Sequence, residues 1–157
     1  MTFAAPPEPA RSMEDSFTAT IQVSQPPPVV FARLRDVSRW WGGADLAGRT
    51  AEVGDTFTVI HGDAHYSKQR VMEVVPDSRI VWLVTESKLN WLEKDKSEWT
   101  GTQMIFEITA EGELTRLRFT HEGLTRSKEC YARCAEGWTM VIEEWLSDFI
   151  TKNKPHF

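Results

Sequence analysis

His121 ends the alternation Leu117, Phe119, His121, which puts one imidazole on the same strand face as two large apolar side chains. There it could hydrogen-bond a ligand or transfer a proton near neutral pH. It could equally be a satisfied core histidine tying the last strand to the following loop, and that passive role is the expectation. His61 and His65 flank Gly62-Asp63 and could approach each other across a hairpin. A metal would need a third and a fourth ligand in defined geometry, which Asp63 and the distant cysteines do not offer. Both histidines are therefore expected as exposed turn residues, and no metal or other cofactor is expected. Cys130 and Cys134 are the two cysteines of the chain, four residues apart. They read as buried, inert thiols on one side of a helix rather than a redox pair. Glu143 and Glu144 fall outside the apolar stripe of that helix, and Glu107 falls on the solvent face of its strand. No confined pair of carboxylates is thus available for acid–base work. A phosphate-cradling glycine loop and a nucleophile elbow are also absent from the sequence.

The elements that must position these residues follow from periodicity. FTATIQV (17–23) alternates as a strand. Prolines 26–28 end it and suit the first turn of a short helix, capped by Ser24 or Gln25, with Val29, Val30, Phe31 and Leu34 as its apolar positions. Trp40 and Trp41 follow, and Gly42-Gly43 lets the chain turn away. TFTVIHGDAHY predicts a hairpin, residues 66–74 continue as a strand, and Pro76-Asp77 makes the next turn. Ile80, Trp82 and Val84 alternate, as do Met104, Phe106 and Ile108, and then Leu117, Phe119 and His121. Between them LNWLEKDKSEWTG reads either as a lid, with Trp91 and Trp99 over a pocket mouth, or as an edge strand. Past residue 130 the period changes. Cys134, Trp138, Val141, Ile142, Trp145 and Phe149 make one stripe on a long helix. Gly137 in mid-helix predicts close approach of another element, because glycine there costs about 1 kcal/mol relative to alanine. The expected class is α+β, with helices on one side of an antiparallel sheet.

A curved sheet of this length around one helix leaves a gap, and large aromatics lining such a gap form a small-molecule pocket. The expected lining is Trp40, Phe57, Val59, Trp82, Met104, Phe106, Phe119 and His121, opposed by Trp138 and Ile142 of the helix.

Charge and hydropathy narrow the partners. The chain has 157 residues, 26% of them charged, and a net charge of −5. Lysines and arginines are dispersed among acids, so nucleic acid is not an expected partner. No apolar run approaches the roughly 20 residues of a membrane span. The N-terminal MTFAAPPEPARSMEDS has no secretory pattern, and the reduced cysteines point to a cytoplasmic setting. The expected organisation is a flexible leader over 1–16, one domain over 17–152 and a tail over 153–157, as a monomer or homodimer.

VSQPPPVVFARL with its trailing WW, the Gly54-Asp-Thr-Phe57 strand start, VMEVVPDSRIVWLV (71–84), TRLRFTHEGL (115–124) and GWTMVIEEWLSDFI (137–150) together resemble the START-like, or helix-grip, superfamily. This superfamily (SRPBCC, or Bet v 1-like) includes the major birch-pollen allergen and polyketide cyclases. Within it the chain is most similar to the activator of heat shock protein 90 ATPase homologue-like proteins. The resemblance implies a seven-stranded antiparallel sheet gripping a C-terminal helix over a deep apolar cavity. It does not imply one activity, since members bind lipids, hormones, polyketides or aromatic compounds and only some are catalysts. The eukaryotic co-chaperone has a separate N-terminal domain that a 16-residue leader cannot replace, so chaperone contact is not expected. The leading expectation is a binder of a small apolar or aromatic molecule, without covalent chemistry. The alternatives are a cyclase- or hydratase-like enzyme using the same cavity, and a co-chaperone-like protein-binding module.

Overall fold

The computed structural model describes residues 15–42 and 45–155. The expected leader lies outside them up to residue 14, as do Gly43 and the last two positions of the expected tail. Ser16, assigned to the leader, is buried and accepts a hydrogen bond from the Gly123 N–H at 2.9 Å.

The chain runs β1 (Phe17–Val23), α1 (Pro27–Arg35), a 3₁₀ turn (Val37–Arg39), β2 (Asp45–Gly48), β3 (Thr56–His61), β4 (His65–Val75), β5 (Arg79–Leu89), β6 (Gln103–Glu111) and β7 (Leu114–Glu122). A helical run over 131–152 closes it, in three segments: α2 (Tyr131–Met140), a π-helical turn (Val141–Leu146) and α3 (Ser147–Lys152). The seven strands form one antiparallel sheet in the order β1-β7-β6-β5-β4-β3-β2. This is the expected α+β helix-grip architecture. Two register shifts between β4 and β5, at Lys68/Gln69 and Val71/Glu73, are where bulges bend the sheet around the helix.

Local details depart from the sequence reading in four places. The cap of α1 is Pro26, with no side-chain cap bond. Pro27 and Pro28 have no N–H to satisfy, and the Val29 and Val30 N–H groups bond the Pro26 carbonyl, so Ser24 and Gln25 have no capping work to do. Strand β2 is additional; its four residues are too few and too exposed to alternate visibly. It holds Gly48 at φ +112°, where a Cβ would lie 2.3 Å from the Thr56 carbonyl oxygen. Residues 87–99 are not an edge strand: β5 ends at Leu89 and the chain then turns back toward β6. Finally, the π turn rotates the apolar stripe of the helix. Leu146 enters the core and Trp145 is left half-buried.

The C-terminal half of the helix is pinned to α1. Arg33 donates to the Phe149 carbonyl at 3.0 Å and to the Asn153 side chain, and its guanidinium lies 5.1 Å over the Phe149 ring.

Candidate functional site

Trp40 and Trp41 are stacked, 6.3 Å apart and 9° from parallel, but they do different work. Trp40 is fully buried, and its indole N–H donates to the Leu34 carbonyl at 3.0 Å. Its ring lies 6.2 Å from Trp82 and 6.1 Å from Phe106. Trp41 also stacks on Trp82, but its outer side lines a cavity of about 330 Å³.

That cavity lies between the first half of the helix and the end of the β3–β4 hairpin. The helix contributes Arg133, Cys134, Gly137, Trp138, Met140, Val141 and Trp145. The sheet side contributes His61 and His65, next to Trp41 and Gly42. Trp91 and Trp99, from the loop after β5, complete the wall. Five indoles therefore surround one space. Trp99 and Trp138 are 5.9 Å apart and 11° from parallel, and Trp41 meets Trp138 at 5.0 Å.

Of the ten residues expected to line a pocket, Trp138 lines this one. The other nine lie beneath it as close-packed core. Trp82 touches Phe57 at 4.9 Å and Phe106 at 4.8 Å, while Phe119 packs on Phe106 at 5.0 Å and on Trp138 at 4.4 Å. Val59, Met104 and Ile142 have no exposed surface, and neither have Trp40 and His121. Period-two alternation identifies the inward face correctly but gives no depth along it. The centre of that face is filled by Trp40 and by the helix, so the gap opens at one end instead.

His61 and His65 correct the sequence expectation most directly. They are not exposed turn residues: each is partly buried, their rings are 5.3 Å apart, and His65 packs on Trp99 at 4.9 Å. Trp41 covers one side, and the His61 Nε2–H donates to the Gly42 carbonyl at 3.3 Å. His65 Nε2 bonds the Ser67 hydroxyl at 2.9 Å, which also accepts from Gln69 Nε2 at 2.8 Å. Burial, and secondarily the neighbouring His61, pushes the pKa of His65 down to about 3, so it is neutral at ordinary pH. Among the described residues no group of three His, Cys, Asp or Glu side chains could hold a metal ion.

His121 sits behind the cavity wall and positions it. Its Nδ1 accepts from the Trp138 indole N–H at 3.0 Å, which leaves Nε2 protonated and donating to the Thr102 hydroxyl at 2.8 Å. Thr102 in turn donates to the Trp99 carbonyl at 2.5 Å. One neutral imidazole thus fixes two indoles of the wall, on the helix and on the loop. Complete burial, then the charge of Lys128, lowers its pKa to about 3.

The loop carrying Trp91 and Trp99 is fastened to the start of the helix. The Glu129 carboxylate accepts from the N–H groups of Glu93 and Lys94, each at 3.1 Å, and these bonds hold its pKa below the usual range. Glu98 reciprocates by accepting from the N–H groups of Glu129 and Cys130, at 3.1 and 3.0 Å, so a carboxylate from the loop caps the helix. The two thiols also differ. Cys130 is fully buried and its pKa is raised by its hydrogen bond to Cys134 and by burial. The same bond stabilises the Cys134 thiolate and lowers its pKa. Trp99 contributes in the same direction, although its N–H falls short of hydrogen-bond geometry with any acceptor.

Gly137 is a further correction. Nothing lies within 4 Å of the position a Cβ would take, so no element approaches the helix there. The missing side chain is cavity space.

Residues 29–149 match the family model described as Activator of Hsp90 ATPase homolog 1-like protein. The chain belongs to this family. No curated protein matches it. Among solved structures, the Aha1 dimer from Colwellia psychrerythraea is similar, with a TM-score of 0.68, 20% identity, and coverage of 86% of this chain and 95% of that one. DynU16, described as a putative protein in the dynemicin biosynthetic locus, aligns with a TM-score of 0.67 and 20% identity over 90% of this chain, which spans only 49% of the DynU16 chain. Protein CV1439 from Chromobacterium violaceum aligns with a TM-score of 0.63 and 18% identity, covering 88% and 98% of the two chains. At these identities the likeness is one of fold. Family membership places the sheet and the C-terminal helix, and the five-indole wall is read from this chain's own residues. No helix among the described residues is long and apolar enough to cross a membrane.

Proposed function

We propose that this member of the Activator of Hsp90 ATPase homolog 1-like family binds a small aromatic molecule in the cavity between its sheet and its C-terminal helix. The observation that carries the reading is the wall itself, with five tryptophans around about 330 Å³. That volume is at the small end of ligand pockets, which run roughly 300 to 1,000 Å³. Covering apolar wall of this kind with an apolar guest removes it from water, at a gain of roughly 25 cal/mol per Å². The positioning of Trp138 and Trp99 by His121 supports a preformed site rather than a collapsing one.

Catalysis of the cyclase or hydratase kind would use the paired His61 and His65. A general base works best with a pKa near the operating pH. Burial lowers the pKa of His65 to about 3, so this imidazole is too weakly basic for that role. Both cysteines are free, in keeping with a cytoplasmic setting.

The test is titration with phenylnaphthylamine, an uncharged fluorescent aromatic. Micromolar binding with quenching of tryptophan emission is expected, and Gly137→Trp, which fills the cavity, should abolish it. Probe binding that survives Gly137→Trp in a folded variant would place the site elsewhere.

A further inference from the structure

We propose that the ligand is a planar aromatic acid, its ring held among the indoles and its anionic group paired with Arg133 at the mouth. This rests on the binding reading above and adds the charge and shape of the ligand. Two features of the cavity carry it.

The first is charge. Acids outnumber bases in the chain, 23 to 18, yet no Asp or Glu lines the cavity and its one permanently charged side chain is Arg133. Arg133 is exposed, and its guanidinium lies 4.9 Å over the Trp91 ring, which orients it at the rim. The ion pairs among the described residues do not include it. An arginine fork with no carboxylate partner, stacked beside an aromatic opening, matches the geometry of a planar anion. A quaternary ammonium, the other common guest of an indole cage, would meet a like charge at this rim.

The second is shape. Trp99 and Trp138 are nearly parallel, and Trp41 lies nearly parallel to Trp82 beneath it, 6° apart. Flat walls of this kind favour a flat guest, because offset stacking adds to area burial. A flexible aliphatic chain gains no such term.

Two probes that differ by one sulfonate group test the inference: anilinonaphthalene sulfonate and its uncharged parent, phenylnaphthylamine. At low ionic strength the anion is expected to bind about threefold to fivefold more tightly, the scale of one exposed charge pair. Added salt should shrink that ratio, because exposed pairs are screened. Arg133→Met should bring the ratio close to one, and Arg133→Lys should restore part of it. Equal affinity of the two probes for the unaltered protein, or a ratio that Arg133→Met leaves in place, would overturn the anionic assignment while leaving the cavity as a binding site. Failure of both probes to bind would overturn the binding reading, and this inference with it.

Discussion

Acidification from pH 7 to pH 5 should destabilise the fold through His121. This imidazole is fully buried, accepts from Trp138 and donates to Thr102, and is surrounded by the rings of Trp99, Phe119 and Trp138. Protonating Nδ1 would turn its acceptor into a second donor facing the Trp138 N–H. Burial, followed by the positive charge of Lys128, therefore lowers its folded pKa from 6.5 to about 3. The unfolded chain binds the proton below about pH 6.5 and the native chain does not until about pH 3. The contribution is thus fully present above the unfolded pKa and is lost as the pH falls through that window. Each pH unit within it costs about 1.4 kcal/mol per group, so the step from pH 7 to pH 5 removes about 2 kcal/mol. His65 shifts in the same direction but borders the cavity, where water reaches it, so its share is smaller. The assay is urea unfolding at both pH values, followed by tryptophan emission and circular dichroism, with His121→Gln as the comparison. The variant should be less stable at pH 7 but lose less on acidification. If the unfolding free energy of the unaltered protein moves by less than about 0.5 kcal/mol between the two pH values, the linkage reasoning fails.

Gly137→Ala should stabilise the protein by up to about 1 kcal/mol, since its Cβ meets nothing within 4 Å and the helix gains propensity; a fall in melting temperature would refute the open-space assignment. Iodoacetamide should modify Cys134 well before Cys130, because Cys134 lines the cavity with a lowered pKa whereas Cys130 is buried with a raised one. Peptide mapping checks this, and equal labelling of both thiols in the folded protein would contradict it.

What the sequence determined by itself was the set of inward faces. The alternations ending at Val84, Ile108 and His121 and the stripe through Trp138 and Ile142 all point into the structure, because periods of two and 3.6 are properties of the backbone. Motif resemblance supplied the family, and the family supplied the grip of sheet on helix. The chain could not specify from local pattern which part of the inward surface stays open. That depends on the reach of one element over another. Trp40 turns under α1 and plugs the middle, Arg33 clamps the far end of the helix, and the space beside Gly137 is left open. The same limit explains the histidines. A Gly-Asp turn between His61 and His65 looks exposed from its composition, yet Trp41 packs on His65 and the Gly42 carbonyl meets His61, from a segment about 20 residues away in sequence, beyond the reach of any local pattern. Loop residues Glu98 and Glu129 exchange backbone hydrogen bonds between two segments that no periodicity connects. Side-chain direction is written in local dihedral preference, whereas a cavity is an absence of contact between distant segments, and only the packed tertiary structure decides where that absence lies.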